Sequence, residues 1–308
     1  MVVLVIAAYV SLGGMRGSGW TDAVQGMLMF TAMLLVGLFV SSALGGFAAA
    51  GEQAFAADPG LFSRVGGFFT PSIWLSFMVL WIFVDPMFPQ LFTRFYTAKS
   101  EKSLKTSMIM YPFLISFLFL IPVLVGMWAH GAGVEAGTNT VMLVMVERYT
   151  PNWVYYLVMV GALSALMSTA DSQLFAISTM AVRDTGLSEK NQVGRSIAIT
   201  WVLALGTILY IFYFFQSGEG IMLFLIGSAF SGLVVLAPAF LGALYLKSMR
   251  PVSAIISIVA GEVYVLLASA GYAPSFGLLV GVVGLIIAGG GLLVVDMGLG
   301  RVCRTPDG

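Results

Sequence analysis

Long runs of hydrophobic residues, separated by short polar or glycine-rich stretches, divide the chain into nine segments. They lie at about residues 1–12, 22–43, 72–95, 106–128, 153–180, 196–215, 220–246, 252–271 and 275–296. About 20 helical residues cross the hydrocarbon core of a bilayer, and the last eight segments reach this length. The first segment, at about 1.5 Å per residue, spans only about 18 Å. We therefore expect eight full transmembrane helices, preceded by the end of a longer helix whose start lies upstream.

The composition supports a membrane protein. Of the 308 residues, 59% are hydrophobic and only 9% are charged, whereas soluble domains carry about 25% charged residues. The predicted fold class is thus an all-α polytopic membrane protein embedded in a lipid bilayer. The net charge of zero argues against nucleic acid as a partner.

Few residues are suited to catalysis. His130 is the only histidine and Cys303 is the only cysteine. These counts exclude a multi-histidine metal site and an intramolecular disulfide. The sequence also contains no motif that pairs a nucleophile with a histidine. We therefore predict that the protein is not an enzyme and has no cofactor.

The basic residues predict an orientation. Two of the 14 basic residues, Arg64 and Arg148, fall in loops on one side of the membrane. The other 12 fall on the opposite side: Arg16, Arg94, Lys99, Lys102, Lys105, Arg183, Lys190, Arg195, Lys247, Arg250, Arg301 and Arg304. Because positive loops stay in the cytoplasm, we expect a cytoplasmic C-terminus and Met1 outside the cell membrane.

One predicted span contains a carboxylate beside two prolines. In LWIFVDPMFPQLFTRFY, Asp85 precedes Pro86 and Pro89. Each proline removes a backbone donor and clashes with the preceding turn, so the helix should break inside the membrane. A proline-broken span indicates a transporter binding site. A purely structural kink is the alternative.

A second span carries hydroxyl groups at its centre. In GALSALMSTADSQL, residues Ala165, Ser168, Thr169 and Ser172 are spaced by three and four, so they share a helix face. Hydroxyl and carbonyl oxygens suit a hard cation. The alternative is close helix packing, which small and hydroxyl residues also favour.

Two other carboxylates lie within predicted spans. Asp171 is not on the face of Thr169, so it either pairs with a neighbouring helix or lies near the cytoplasmic side. For Glu262 a structural hydrogen bond or a snorkelling position is favoured over a role in transport.

Several of these stretches resemble the sodium:solute symporter family. YVSLGGMRGSGWTDAVQGMLMF is similar to the family pattern Y-x-x-x-G-G-(x)5-W-T-D-x-x-Q. MFPQLFTRFYTAKSEKSLKTS resembles its P-H-x-x-x-R-F segment, and LSALMSTADSQL resembles its sodium-site helix. APAFLGALYLKSMRP resembles a late core helix. The matches run in family order from residue 9 to about 250.

The resemblance implies a leucine-transporter-like fold, an inverted repeat of five plus five helices. The whole chain, 1–308, would form one transmembrane domain. Residues 1–43 would end the first repeat, 72–246 would form the second, and 252–296 would be peripheral helices. The first three core helices would be missing, so we expect a fragment of a complete transporter.

The resemblance also implies binding residues. In the family the main sodium site takes a carbonyl and two hydroxyls from one helix, which correspond here to Ala165, Ser168 and Thr169. A second ion position, found in some relatives, would use Asp22 and Ser172. Residues that would face the solute are Trp81, Asp85, Phe88 and Gln90, with Gln90 replacing the common family histidine.

The implied function is sodium-coupled symport of a small organic solute by alternating access. A separate N-terminal fragment is a further partner that this hypothesis allows. The main alternative is a non-transporting membrane scaffold or partner subunit left by truncation or gene splitting. A channel, or a sodium-coupled transporter of another class, is the remaining alternative, although the polar groups cluster on two spans instead of lining a continuous pore.

Overall fold

The computed structural model describes residues 2–63, 66–185, 191–213, 221–246 and 249–302. Of the basic residues used for the orientation, Arg64, Lys190, Lys247 and Arg304 lie outside this part of the chain, as do Cys303 and the side chain of Arg301. The described α-helices are α1 (Val2–Ala43), α2 (Phe47–Ala57), α3 (Pro71–Val84), α4 (Pro89–Phe95), α5 (Glu101–Gly131), α6 (Val141–Tyr149), α7 (Asn152–Asp184), α8 (Gln192–Tyr213), α9 (Ile221–Leu225), α10 (Ser231–Val235), α11 (Ala237–Tyr245), α12 (Pro251–Ser269) and α13 (Val280–Val302).

The helices confirm the expected polytopic class. Within the described residues, seven helical segments are long and apolar enough to cross a membrane, and a bent pair of helices makes up to eight. Large apolar side chains face outward on several of them: Phe113 is 71% exposed, Leu166 67% and Val202 68%. Such extensive apolar exposure fits a surface that lies against lipid.

The predicted break in the third span is confirmed. Helix α3 ends at Val84, a 3-10 turn covers Asp85–Met87, and α4 begins at Pro89. Phe88 between them has an extended backbone, with φ −64° and ψ 118°. The two helical pieces are bent by 61°, because the prolines cannot supply the backbone donors of a continuous helix.

The first two predicted segments are directly joined. Helical structure continues from Val2 to Ala43, and Gly14 alone leaves the helical conformation, with φ 52° and ψ −155°. The second predicted segment, expected from about residue 22, therefore begins directly after Gly14. Ser18 is buried and Thr21 donates to the carbonyls of Gly17 and Ser18. Tertiary packing and these local bonds offset the weak helix propensity of glycine and serine.

The described chain forms two compact units. The first comprises residues 1–63 and 93–216. In it α1 packs chiefly along α7, and α2 packs on α5. Val36, Val125, Trp128 and Val154 share its largest core cluster. Helices α2 and α6 were not predicted, and α5 continues beyond the predicted span 106–128 to include His130 in its last turn.

The second unit comprises residues 64–92 and 217–308. Helix α12 packs along α13, which also contacts α3, α10 and α11. Gly261 permits close packing of α12 against both α10 and α13, because a β-carbon there would lie 2.4 Å from Val235 Cγ1 on α10 and 3.1 Å from Ala288 Cβ on α13. A π-helical turn, Ile226–Phe230, joins α9 to α10.

Candidate ion and solute sites

Helices α1 and α7 enclose a cluster of polar side chains within the first unit. Ser168 on α7 donates its hydroxyl to Oδ1 of Asp22 on α1. Ser172, one turn further along α7, donates to Oδ1 of Asp171 at 3.0 Å. Two of the predicted hydroxyl residues thus contact carboxylates.

Asp171 lies at the centre of this cluster and is completely buried. Its Oδ2 accepts hydrogen bonds from the Tyr9 hydroxyl at 2.8 Å and from Thr21 Oγ1 at 3.4 Å. Of the two predicted alternatives for Asp171, pairing with a neighbouring helix is therefore confirmed. A buried carboxyl group requires such donors, because leaving it unpaired in the interior costs several kcal/mol, on the order of a lost ionic hydrogen bond or more.

The break at Gly14 makes this arrangement possible. Tyr9 precedes the break and Thr21 follows it, yet both bond the same oxygen of Asp171. In a continuous helix their α-carbons would be about 18 Å apart, at about 1.5 Å per residue. The single non-helical residue therefore turns the chain so that both halves of α1 contact α7.

Asp22 is the second carboxylate of the cluster, and its side chain is 11% exposed. Its Oδ2 forms an ion pair with Arg94, and it lies 3.5 Å from the Ser18 hydroxyl. Arg94 also donates to Ser172 Oγ. Asp22 and Ser172, predicted as a second ion position, are therefore brought together, and the Arg94 guanidinium contacts both of them.

Thr169 and Ala165 are linked by a local hydrogen bond within α7. The Thr169 hydroxyl donates to the carbonyl oxygen of Ala165, one turn earlier, at 3.2 Å. Thr169 is exposed within the described chain, whereas Ser168 is partly buried. Two oxygens at this separation can both lie about 2.3–2.6 Å from one hard cation, the range that Ca²⁺ takes with oxygen ligands. Of the predicted hydroxyl residues, Ser168 and Ser172 thus contact carboxylates, whereas Thr169 bonds a carbonyl within α7.

The four predicted solute residues surround the break at the end of α3, in the second unit. Asp85 and Gln90 are partly buried on either side of Phe88. The rings of Trp81 and Phe88 both contact Phe230, with centroid distances of 5.3 Å and 5.5 Å.

Phe230 ends the π-helical turn, so two irregular helices meet at this aromatic group. The Ser231 hydroxyl donates to the carbonyl of Ile226, five residues earlier, at 2.7 Å. Single π-turns inside helices frequently occur at functional sites. This turn was not anticipated from the sequence.

The residues of these clusters that were not predicted to take part include Tyr9, Arg94 and Phe230. Two of them do stand in the motifs quoted above. Tyr9 begins the Y-x-x-x-G-G pattern, and Arg94 is the basic residue of the P-H-x-x-x-R-F pattern. Those motif positions were the signal that could have identified them, whereas Phe230 lies outside the quoted stretches.

Comparison with known proteins assigns this combination of helices to a family. A sequence model described as the sodium:solute symporter family matches residues 1–261. The sodium/pantothenate symporter of Haemophilus influenzae is 29% identical over 203 residues, 64% of this chain and 41% of its own length. The osmoregulated proline transporter OpuE of Bacillus subtilis is 25% identical over an alignment of 314 positions, 96% of this chain and 62% of its own length.

A solved structure shows the same fold. A Na⁺-coupled sialic acid symporter, in a substrate-bound outward-open state, matches with a TM-score of 0.76 and 20% identity. The match covers 98% of this chain and 66% of that one. The expected leucine-transporter-like helical fold is confirmed. The chain spans about half the length of the curated relatives it matches, between 41% and 62% for the two named above.

Proposed function

The chain belongs to the sodium:solute symporter family, and we propose that it serves sodium-coupled symport of a small organic solute across the cell membrane. The curated relatives named above are a sodium/pantothenate symporter and a proline transporter. Pantothenate and proline are both small and polar, which makes a solute of this class the first choice for testing.

The observation that carries the proposal is the oxygen-rich cluster on α7. Ser168 and Ser172 contact buried or nearly buried carboxylates of the same unit, and Thr169 lies 3.2 Å from the Ala165 carbonyl. Ionisable groups inside a membrane are costly, and they usually mark ion or substrate pathways. Helix packing alone would need small residues, but it would not need two carboxylates.

We assign the ion ligands as follows. One sodium ion would take the Ala165 carbonyl and the hydroxyls of Ser168 and Thr169. A second position would use Asp22 and Ser172. Sodium is then the coupling ion, and hard oxygen ligands replace its hydration shell.

The solute would contact the broken segment of the second unit. Trp81 and Phe88 offer aromatic surface, while Asp85 and Gln90 offer polar groups beside the break. Freed backbone groups at such a break must face protein or a water-filled cavity. In this proposal residues 1–43 end the first inverted repeat, 72–246 form the second, and the C-terminus lies in the cytoplasm.

Sodium binding by the purified chain tests the ion assignment. Thr169→Ala should raise the sodium concentration needed for half-maximal binding, measured with radioactive sodium, by about tenfold, because one oxygen ligand is lost. Thr179→Ala is the matched control: its hydroxyl donates to the Phe175 carbonyl one turn earlier, as Thr169 does to Ala165. An equal response of both variants would remove Thr169 from the ligand set.

Uptake separates the transporter from the alternative of a non-transporting scaffold or partner subunit. Vesicles containing the chain would be given radiolabelled L-proline or pantothenate, with a sodium or a potassium gradient. Saturable uptake that requires sodium supports symport. Sodium binding without uptake of either probe would instead support the partner-subunit role.

A further inference from the structure

Arg94 bonds the two oxygen atoms that would coordinate the second ion. Its guanidinium forms an ion pair with Oδ2 of Asp22 and donates to Ser172 Oγ. Ser172 in turn donates to Asp171 Oδ1 at 3.0 Å, and Ser168 donates to Asp22 Oδ1. With these bonds formed, one guanidinium nitrogen contacts both Asp22 Oδ2 and Ser172 Oγ, so a positive charge already lies where a sodium ion shared by these two oxygens would lie.

The side chain of Arg94 is also open to solvent. It is 44% exposed, whereas that of Asp22 is 11% exposed. Ion pairs with a solvent-exposed partner are weak, because water screens the charges and the long side chain loses conformational freedom. Water therefore screens the Arg94 end of the pair, and an arriving cation competes with a guanidinium that is only partly shielded from solvent.

We propose that Arg94 is a tethered internal cation that fills the Asp22–Ser172 position in the ion-free protein and leaves it when sodium binds. The inference rests on the proposed function, because it needs sodium as the displacing ion. Arg94 then sets the apparent sodium affinity, since only the fraction of molecules with the guanidinium withdrawn can bind the ion there. Its release also frees the end of α4, the helix that follows the break at Asp85–Met87.

The proposal makes a prediction opposite to that for a structural ion pair. Removing Arg94 should strengthen sodium binding, because the ion no longer has to displace a competitor. A competitor that occupies the position most of the time raises the apparent dissociation constant by the reciprocal of the free fraction, about fivefold for 80% occupancy. Losing a merely structural pair would leave sodium binding unchanged or would weaken it.

The test is radioactive sodium binding to the purified full chain and to Arg94→Gln, which removes the charge and keeps a polar side chain. Arg94→Met, with an unbranched stem of similar length, replaces this variant if it does not purify as a single species. Arg16→Gln is the control, because Arg16 is an exposed basic residue on α1, six positions from Asp22. Arg94→Lys keeps the charge but lacks the planar fork, and it should bind sodium more nearly as the unmodified chain does.

A fall of about fivefold or more in the half-saturating sodium concentration for Arg94→Gln, but not for Arg16→Gln, supports the inference. Binding that appears only after Arg94 is replaced also supports it. Sodium binding by the unmodified chain that is unchanged or weaker in Arg94→Gln overturns the inference and leaves the proposed function standing. If neither protein binds sodium, the proposed function fails, and the inference fails with it.

Discussion

Tyr9 donates its hydroxyl to Oδ2 of Asp171 at 2.8 Å, although the two residues are 162 positions apart in the chain. Tyr9 stands before the break at Gly14, and Asp171 is fully buried on α7. The bond therefore fixes the short first half of α1 against the helix that carries the proposed ion ligands.

Removing the Tyr9 hydroxyl should destabilise the protein. Tyr9→Phe leaves the buried Asp171 carboxyl without one of its donors, which costs about 1–3 kcal/mol of unfolding free energy. The measurement is denaturant unfolding of the protein in detergent. Tyr156→Phe is the control, because Tyr156 is 65% exposed on α7, and it should change the free energy by less than about 0.5 kcal/mol. Equal effects of the two variants would contradict a structural role for this bond.

Local chemistry explains which parts of the fold were predictable. The break after α3 follows from Pro86 and Pro89, whose missing donors act within a few residues, and it occurs where expected. The hydrophobic spans were also found, because length and apolarity are properties of the sequence alone. By contrast, residues 15–21 fell between two predicted segments because of their glycines and serine, yet they are helical, with Ser18 buried and Thr21 bonded to the carbonyls of Gly17 and Ser18.

The candidate site was predictable only in part. The spacing of Ser168 and Ser172 placed them on one helix face, but it could not indicate that their partners are Asp22, Asp171 and Arg94. Arg94 was counted among the loop charges that set the orientation, whereas it lies in α4 and pairs with a residue 72 positions away. Pairings between distant residues depend on tertiary packing, and periodicity carries no information about them.

Replacing Gly14 should destabilise the protein through backbone strain. Its φ of 52° combined with ψ of −155° is a conformation that essentially only glycine adopts, so Gly14→Ala should cost about 1–3 kcal/mol. Crowding is not the cause, because the nearest atom to an added β-carbon lies 4.0 Å away, on Phe175. Gly13→Ala is the matched control: it has open space, and it should be neutral or slightly stabilising. Similar losses in thermal unfolding for both variants would exclude the strain explanation.

Gly261 should tolerate substitution poorly for a different reason. It lies in α12 with an ordinary helical backbone, but a β-carbon there would lie 2.4 Å from Val235 Cγ1 and 3.1 Å from Ala288 Cβ. Gly261→Ala should therefore force α12 away from its neighbours in the second unit and lower the unfolding free energy by about 1–3 kcal/mol. Gly290→Ala in α13, with nothing within 4 Å, provides the control. A stability of Gly261→Ala equal to that of Gly290→Ala would show that the packing can relax.

Restoring helix at the break should straighten the third span. With Pro86→Ala and Pro89→Ala combined, backbone donors return at both positions, and each alanine favours a helix interior by about 3 kcal/mol over proline. Spin labels at the exposed positions Leu75 and Tyr96, in a background with Cys303→Ser, would measure the distance between the two ends of the span. Removing a bend of 61° should lengthen this distance by about 4 Å, from the rise of about 1.5 Å per residue on each side. Pro112→Ala, which changes a proline inside α5, should leave the distance unaltered.

Because the proposed solute position lies at the break, the double variant should also lose sodium-dependent uptake while its unfolding free energy stays level or rises. A straightened span that still transports at the normal rate would show that the break does not form the solute site.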